Sequence, residues 1–368
     1  MKFTIPQKEL QKHIQIAQRA ISPRNTVQIL DGILFEARDD LLHLTSTDLE
    51  LGIKTEVPCE VTEEGRAVLS GNIIGNITRK LPQDLVSMET EGNQTEIRCK
   101  NSQFQLIGYA PEEYPELTTV SGSPLLSVPA KEWKTAIRQT LFATSQDDTK
   151  PVLRGVLFDL RDDGAYLVAL DGFRIALRKL NLQTQQRGSY IIPGRALSEL
   201  QKITDDDQMV SLFAGKGNMS FSIGETILNT RLLEGQFIQY EKLLETEADV
   251  YFETKKKDLF DALERASLLS GEERANLIKL YLSENACAIT SNTEIGHVFE
   301  NVEGTLQGEP LEIAFNARYL LEGIKEIETE DIRLAFSGPL KPLIIEPVAE
   351  EEAYTYLVLP VRLGQDGR

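Results

Sequence analysis

Histidines and clustered carboxylates are the side chains in this sequence that could bind a metal ion or transfer protons. The three histidines, His13, His43 and His297, are far apart and have no ligand spacing, so a structural or surface role is favoured for each. The segment 159–164, Asp-Leu-Arg-Asp-Asp-Gly, begins like a calcium loop. Its twelfth position is Leu170 instead of a bidentate glutamate, which favours a hairpin turn.

Other candidate catalytic motifs are equally weak. The acidic runs at 205–207 and 350–352 consist of adjacent residues, and we interpret both as solvated turns. The glycine loop at 71–75 lacks the lysine that a P-loop places on phosphates, so it reads as a helix N-terminus. The sequence contains no H-E-x-x-H, C-x-x-C or G-x-S-x-G motif. We therefore expect no enzyme, no catalytic residue, no metal site and no cofactor.

Cationic side chains suggest phosphate binding instead. The formal net charge of -18 argues, as an average, against a nucleic-acid partner. Six helical segments are nevertheless all net positive, and a solvated lysine-rich helix face is the alternative interpretation for any one of them. Together they favour a common anionic partner. The segments are 7–24, 71–80, 131–138, 194–202, 255–265 and 316–325.

The helices recur because the chain repeats itself three times. Phe3–Leu10 resembles Leu126–Trp133 and, more loosely, Phe252–Leu259. Each segment begins as a strand and continues as a helix whose apolar positions are spaced by four and three. The segment 30–35 recurs in the same way at 153–158 and more loosely at 277–282.

Each repeat predicts an α+β domain made of two β-α-β-β-β halves. The helices should pack on one face of the sheets. Second-half helices are expected to end near Leu81, Ile203 and Ile327. The predicted domains are 1–122, 123–247 and 248–368, with polar linkers at their boundaries.

Cysteine content and the N-terminal segment indicate the compartment. Cys59, Cys99 and Cys287 are few and far apart, as expected for buried free thiols in a reducing environment. The opening residues contain no apolar signal core, and no apolar run approaches the roughly 20 residues of a membrane span. A cytoplasmic protein without a membrane partner is predicted.

Helix dimensions limit how such a protein could surround DNA. A helix with its side chains is about 10 Å across. Six of them in a closed ring leave a hole of about 10 Å, whereas twelve leave about 28 Å, and a duplex is roughly 20 Å wide. Two chains in head-to-tail contact would therefore fit around DNA.

Five short segments in order along the threefold repeat resemble one family, the bacterial DNA polymerase III sliding clamp (beta subunit). They are Met-Lys-Phe-Thr at 1–4, Thr-Ser-Thr-Asp-Leu-Glu at 45–50, Ala-Leu-Asp-Gly-Phe-Arg at 169–174, Leu-Glu-Gly-Gln-Phe-Ile-Gln-Tyr at 233–240 and Leu-Pro-Val-Arg-Leu at 359–363. The resemblance implies three DNA-clamp domains in a homodimeric ring, with helices lining the inside and sheets outside. It implies duplex DNA, bound without sequence preference, as a partner, together with the replicative polymerase, the clamp loader and other clamp-motif proteins.

The resemblance also implies a peptide-binding pocket. Family members commonly carry threonine at Leu170, histidine or tyrosine at Phe173 and proline at Ile238, so this pocket should be more apolar. Carried over by position, the pocket consists of Leu153, Leu170, Gly172, Phe173, Arg174, Ile175, Ile238, Lys242, Leu243, Pro342, Leu357, Val358, Leu359, Pro360, Val361, Arg362 and Leu363.

Charge and exposure select the other candidate residues. The proposed phosphate contacts are Lys12, Arg24, Arg79, Arg195, Lys202 and Lys325. The proposed dimer interface joins Phe104 and Leu106 of the first domain to Leu268 and Leu269 of the third. An acidic repeat scaffold that binds only proteins is the alternative to a DNA-encircling clamp.

Overall fold

The computed structural model describes residues 1–23, 26–182, 184, 186–245, 247–270, 276–294, 296–349 and 352–362. Its elements follow the predicted threefold pattern. The first repeat contains β1 (Lys2–Pro6), α1 (Gln7–Gln18), β2 (Gly32–Arg38), β3 (Leu41–Thr47), β4 (Leu51–Pro58), β5 (Glu60–Glu63), β6 (Gly65–Ser70), α2 (Gly71–Lys80), β7 (Leu85–Glu91), β8 (Gln94–Cys99) and β9 (Ser102–Ile107).

Among the described residues, the second and third repeats have the same order without a separate counterpart of β5. The second contains β10 (Leu126–Pro129), α3 (Ala130–Leu141), β11 (Gly155–Arg161), β12 (Gly164–Leu170), β13 (Arg174–Leu180), β14 (Gly188–Pro193), α4 (Gly194–Ile203), β15 (Met209–Ala214), β16 (Asn218–Ile223), β17 (Thr226–Arg231) and a short helix, α5 (Glu241–Leu244). The third contains β18 (Val250–Lys255), α6 (Lys256–Ser270), β19 (Leu277–Ser283), β20 (Ala286–Thr293), β21 (Gly296–Gln307), β22 (Leu311–Asn316), α7 (Ala317–Lys325), β23 (Asp331–Phe336), β24 (Leu343–Pro347) and β25 (Tyr354–Val358).

Helix packing follows the predicted apolar spacing. Leu10 and Ile14 of α1 are fully buried with Ile74 of α2 against the inward-facing strand residues Phe3 and Phe35. The polar face of each helix is left toward solvent, as an amphipathic pattern requires. The predicted α+β repeat with paired helices is therefore confirmed.

Within the described residues the strands form three sheets. Their orders are β5-β1-β7-β8-β9, then β10-β15-β16-β17-β4-β3-β2-β6, then β14-β11-β12-β13-β25-β24-β23-β18-β21-β20-β19-β22. Strands of different repeats meet in two of these sheets: β17 pairs with β4, and β25 pairs with β13. In both cases the last strand of a repeat pairs with a strand of the repeat before it. That strand is the third one after the first helix of its repeat.

This pairing divides the chain into two compact units that do not coincide with the repeats. One unit is Met1–Trp133 with Arg195–Leu232, and the other is Lys134–Gly194 with Leu233–Arg368. The second repeat is shared because each of its halves continues a sheet of a neighbouring repeat. The limits at residues 122 and 247 stay a prediction for the ends of the repeats.

Turn chemistry agrees with the sequence except in one place. The segment 159–164 closes the β11–β12 hairpin with Gly164 at φ +143°, and Gly71 begins α2. Residues 350 and 351 lie outside the described residues, but Glu352 is buried, so its expected solvated turn is wrong. Its carboxylate accepts hydrogen bonds from the backbone N–H groups of Glu328 and Thr329. These donors compensate the burial of its charge.

The three cysteines and the three histidines lie in the described part of the chain. Cys99 and Cys287 are buried and Cys59 is half-buried, and all three are free thiols. Among the described residues no group of histidine, cysteine or carboxylate side chains could hold a metal ion. Each described helix is too short or too polar to cross a membrane.

Candidate functional site

An apolar cluster on β11, β12, β13 and β25 brings together several of the predicted pocket residues. Leu153, Leu170, Ile175 and Leu357 belong to one buried cluster, although they are far apart in the sequence. The antiparallel register places Ile175 opposite Leu357. These four side chains form the floor of the candidate groove, which we call the groove floor.

Several other predicted pocket residues are exposed. Phe173 is 57% exposed and Leu359 is 40% exposed, and the backbone N–H of Leu359 donates to the carbonyl of Phe173 over 2.9 Å. Ile238 and Leu243 are also exposed, the latter on α5. Of the remaining predicted residues, Gly172, Lys242 and Arg362 are exposed, and Pro342, Pro360 and Val361 are half-buried. Leu363 lies outside the described residues.

The local turn explains how Phe173 comes to be exposed. The Asp171 carboxylate accepts the backbone N–H groups of Phe173 and Arg174 at 2.9 and 3.2 Å. Gly172 has φ +99°, a left-handed conformation that costs a glycine little. The turn therefore presents the Phe173 ring at the surface, where it stacks on Tyr319 with the ring centroids 5.9 Å apart.

Two predicted pocket residues, Val358 and Arg174, lie on the face of the sheet opposite to the groove floor. Neighbouring residues of a strand point to opposite faces, so Val358 cannot share the face of Leu357. Val358 is fully buried, and it pairs with Arg174 in the register. Val358 is named among the predicted pocket residues, but it faces the core and not the groove floor.

Arg174 is a buried structural cation instead of a rim residue. Its guanidinium forms ion pairs with Asp171 at 3.0 Å and with Glu322. It also lies 4.7 Å from the centroid of the Tyr319 ring and 5.4 Å from that of Phe142, a geometry that favours cation–π attraction. Burial alone would lower the pKa of Arg174, but Tyr356 and Glu322 raise it above its usual value. Arg174 is among the predicted pocket residues, but its charge is used within the fold.

The candidate phosphate-binding cations lie mostly on exposed helix surfaces. Lys12, Arg79, Lys202 and Lys325 are exposed on α1, α2, α4 and α7. Lys202 pairs with Glu199 at 2.7 Å, and Arg79 donates to Asn76 at 2.6 Å. The other two candidates are Arg195 and Arg24. Arg195 pairs with Asp48, whose carboxylate partly neutralises it, and Arg24 lies outside the described residues.

The candidate dimer residues differ in exposure. Leu268 is 74% exposed and Phe104 is 38% exposed. Leu269 is half-buried. Leu106 is half-buried and packs against the core of the first repeat. The strand that carries Phe104 and Leu106, β9, is the last strand of its sheet.

Comparison with known proteins connects these features. Family models of the DNA polymerase III beta subunit match its N-terminal domain at residues 1–118, its central domain at 127–239 and its C-terminal domain at 241–362. The chain belongs to the DNA polymerase III beta subunit family.

Relatives and solved structures of this family match over nearly full length. The beta sliding clamp of Staphylococcus epidermidis is 35% identical over 98% of this chain and 99% of its own length, and that of Staphylococcus aureus is 33% identical over the same shares. The DNA polymerase sliding clamp of Bacillus subtilis superposes with a TM-score of 0.96 at 32% identity, covering 99% of this chain and 100% of its own. That of Pseudomonas aeruginosa gives 0.93 at 28% identity, with the same coverage.

Membership in the beta subunit family confirms the function predicted from the sequence. The chain is a sliding clamp for DNA replication, and the family is a processivity factor rather than an enzyme. The five short segments that suggested the family were therefore sufficient to identify it.

Two exposed apolar residues of this beta subunit family member were missed by the sequence reasoning. Ile107 at the end of β9 is 81% exposed, and Phe299 in β21 is 65% exposed. A period-two pattern predicts a strand but does not tell which of its faces is covered. The equivalence of β9 with β17 and β25 is the signal that could have found them.

Proposed function

We propose that the chain closes with a second copy into a head-to-tail ring around duplex DNA. The observation that carries this is the pairing rule between repeats. β17 pairs with β4, and β25 pairs with β13. By the same rule, β9 in the first repeat of one copy pairs with β21 in the third repeat of another copy. Two copies then complete the ring, because each copy supplies one β9 and one β21.

The strand edges support this closure. Among the described residues β9 pairs with β8 alone, and β21 pairs with β18 only over Gly304–Gln307. The remaining edge of β21 carries Phe299, and β9 carries Phe104 and Ile107. Open edges with apolar side chains bind other strands readily, so a second copy is a suitable partner.

The proposed ring binds DNA through its helices. Arg79, Lys202 and Lys325 share the ninth position of α2, α4 and α7, and Lys12 is exposed on α1, in a chain whose net charge is -18. Cations on the inside attract phosphate without reading bases, since backbone contacts carry no sequence information directly. The acidic remainder of the protein disfavours DNA elsewhere. Binding is therefore sequence-independent, and retention depends on encirclement.

The groove serves partner proteins. The groove floor is apolar, and the predicted pocket residues Phe173, Ile238 and Leu243 are exposed. An extended peptide with aliphatic or aromatic anchors suits such a surface. Segments of the replicative polymerase, the clamp loader and other clamp-motif proteins are the proposed occupants, and the cytoplasm is the proposed location.

Retention on DNA of different topology tests encirclement. The protein is loaded by a clamp loader onto nicked circular DNA and isolated by gel filtration, and half of the sample is then linearised by a restriction enzyme. We expect retention on the circle and loss from the linear product at equal salt. Equal retention on both would contradict encirclement. Absence of DNA binding in a protein that still binds peptide would favour the acidic scaffold.

A further inference from the structure

Tyr240 lies between the groove floor and a polar network on β11. Its side chain is 3% exposed and belongs to the same buried cluster as the groove floor. Its hydroxyl donates to the Asp159 carboxylate at 3.0 Å and accepts a hydrogen bond from Arg161 at 2.6 Å. Burial and the charge of Asp159 raise the pKa of Tyr240, so the hydroxyl keeps the proton that it donates. The tyrosine is therefore fixed both by its apolar ring and by its hydroxyl.

Arg161 is itself held from several sides. Its Nε donates to Asp159 at 2.7 Å, and its guanidinium also pairs with Glu241. It lies 5.0 Å from the centroid of the Tyr166 ring and 5.4 Å from that of Tyr240, a geometry that favours cation–π attraction. Glu241 is the first residue of α5, so the network contacts both this helix and the residue that precedes it.

The helix α5 begins at this network and carries two predicted pocket residues. The Tyr240 carbonyl accepts hydrogen bonds from the backbone N–H groups of Leu243 at 3.0 Å and Leu244 at 3.2 Å. A helix of four residues is too short to be stable by itself. Its position therefore depends on contacts with its surroundings, and Tyr240 and Arg161 provide those at its beginning. Lys242 and Leu243, the pocket residues on α5, are both exposed.

The equivalent linker after the first repeat is attached differently. Leu117 stands in the position of Tyr240 and has no hydroxyl. The hydroxyl in this linker belongs to Tyr114, which donates to the carbonyl of Gly32 at 3.0 Å. Residues 117–125 are all described, and none of them is helical. Of the two linkers, only the one with the tyrosine network forms a helix.

The strands below the two linkers differ as well. Gly52 and its partner Asn229 stand where the groove floor has Ile175 and Leu357. The Leu117 side chain packs so closely on Gly52 that a Cβ there would lie 2.1 Å from a leucine methyl carbon. The first linker therefore covers the equivalent strand with its own side chain.

We propose that Asp159 and Arg161 are positioning residues of the peptide-binding groove, which hold α5 in place through the Tyr240 hydroxyl. The inference rests on the proposed peptide binding and explains how Leu243 is presented to a peptide. Neither Asp159 nor Arg161 is among the predicted pocket residues. Loss of the network should therefore weaken the contacts that a peptide makes with α5 and leave those with Leu359 intact.

Removal of the hydroxyl alone tests the positioning. Tyr240→Phe and Leu243→Ala are made singly and together, and calorimetry measures the affinity of a peptide with a glutamine and spaced leucine or phenylalanine anchors. Tyr240→Phe should weaken binding about three- to tenfold, as expected for the loss of a buried hydrogen bond. Leu243→Ala should then cost about twofold or less in the Tyr240→Phe background, because α5 is already displaced.

Leu359→Ala is the matched control. Leu359 is held by the carbonyl of Phe173 and not by α5, so its effect should multiply with that of Tyr240→Phe. Arg161→Lys keeps the charge but not the planar group that contacts Tyr240 and Glu241 at once, so it should weaken peptide binding as well. It also serves as the second variant if Tyr240→Phe does not fold.

Amide hydrogen exchange separates positioning from a general loss of stability. Exchange in residues 241–244 should become faster in Tyr240→Phe, whereas exchange in β25 should stay as in the wild type. Unchanged exchange in α5, or fully multiplicative effects of Tyr240→Phe and Leu243→Ala, would overturn this inference and leave the groove intact. A wild-type protein that does not bind the peptide would instead overturn the proposed groove, and the exchange measurement would still test the attachment of α5.

Discussion

Leu357 and Ile175 are paired across two antiparallel strands, so their side chains lie on the same face of the sheet. Val358, the next residue, is fully buried on the opposite face with Arg174 as its partner. A groove substitution must therefore be chosen by face as well as by position in the strand. Leu359, which follows the strand and is 40% exposed, is the better target.

The groove prediction compares Leu359 with Val358. Leu359→Asp should weaken binding of a peptide with leucine or phenylalanine anchors at least tenfold, because an unpaired charge would meet apolar anchors. Its melting temperature should stay unchanged. Val358→Ala should lower stability by about 2 kcal/mol, because it leaves a cavity in the core, and should leave peptide affinity within about twofold. Calorimetric titration and thermal unfolding measure both, and the reverse pattern would remove Leu359 from the groove.

Dimerisation through strand edges is tested at Ile107. Ile107→Asp should yield a folded monomer, because it places a charge in the proposed β9–β21 contact. Met209→Asp is the control, since Met209 is also an exposed apolar residue, 51% exposed, at the start of β15. It should remain dimeric. Analytical ultracentrifugation at micromolar concentration distinguishes them, and a dimeric Ile107 variant would exclude this edge.

DNA binding by the helices is tested through Arg79. Arg79→Glu combined with Lys12→Glu should reduce loading on DNA without unfolding the protein. Each lost phosphate contact should make the slope of log affinity against log salt less negative by about 0.9. Lys216→Glu, in the exposed turn between β15 and β16, is the matched control and should have little effect. If the control lowers loading equally, loading depends on the net charge of the protein and not on the helix positions of Arg79 and Lys12.

Acid sensitivity is predicted for the first repeat at His43. Burial, followed by the positive charge of Arg38, lowers the pKa of His43 from 6.5, although Glu56 at 3.2 Å opposes this. As the pH falls below 6.5 the unfolded chain therefore binds more protons than the folded chain, and the free energy of unfolding decreases.

Substitution separates His43 from the rest of the chain. His43→Gln should reduce the loss in melting temperature between pH 7.5 and pH 5.5. His13→Gln, a partly exposed histidine, should leave that loss as in the wild type. Calorimetry at the two pH values measures the difference, and identical profiles for all three proteins would assign the acid sensitivity to other groups.

The sequence alone determined the repeat, its helices and strands, and the family. The spacing of Leu10, Ile14 and Ala17 recurs in all three repeats because one helix face must be buried in each. Such patterns are local, so they can be read from neighbouring residues. The resemblance to the family also grouped Leu153, Leu170, Ile175 and Leu357, which the structure places in one buried cluster.

Tertiary structure decided which face each strand residue occupies and which charges are used internally. Arg174 was predicted to belong to the pocket, but Asp171 and Glu322 hold it in the interior. Glu352 looks like part of a solvated acidic turn, but backbone N–H groups more than 20 residues away bind it. The pairing of β17 with β4 and of β25 with β13 likewise joins different repeats. These relationships depend on strand register and on contacts between distant residues, and local periodicity carries no information about either.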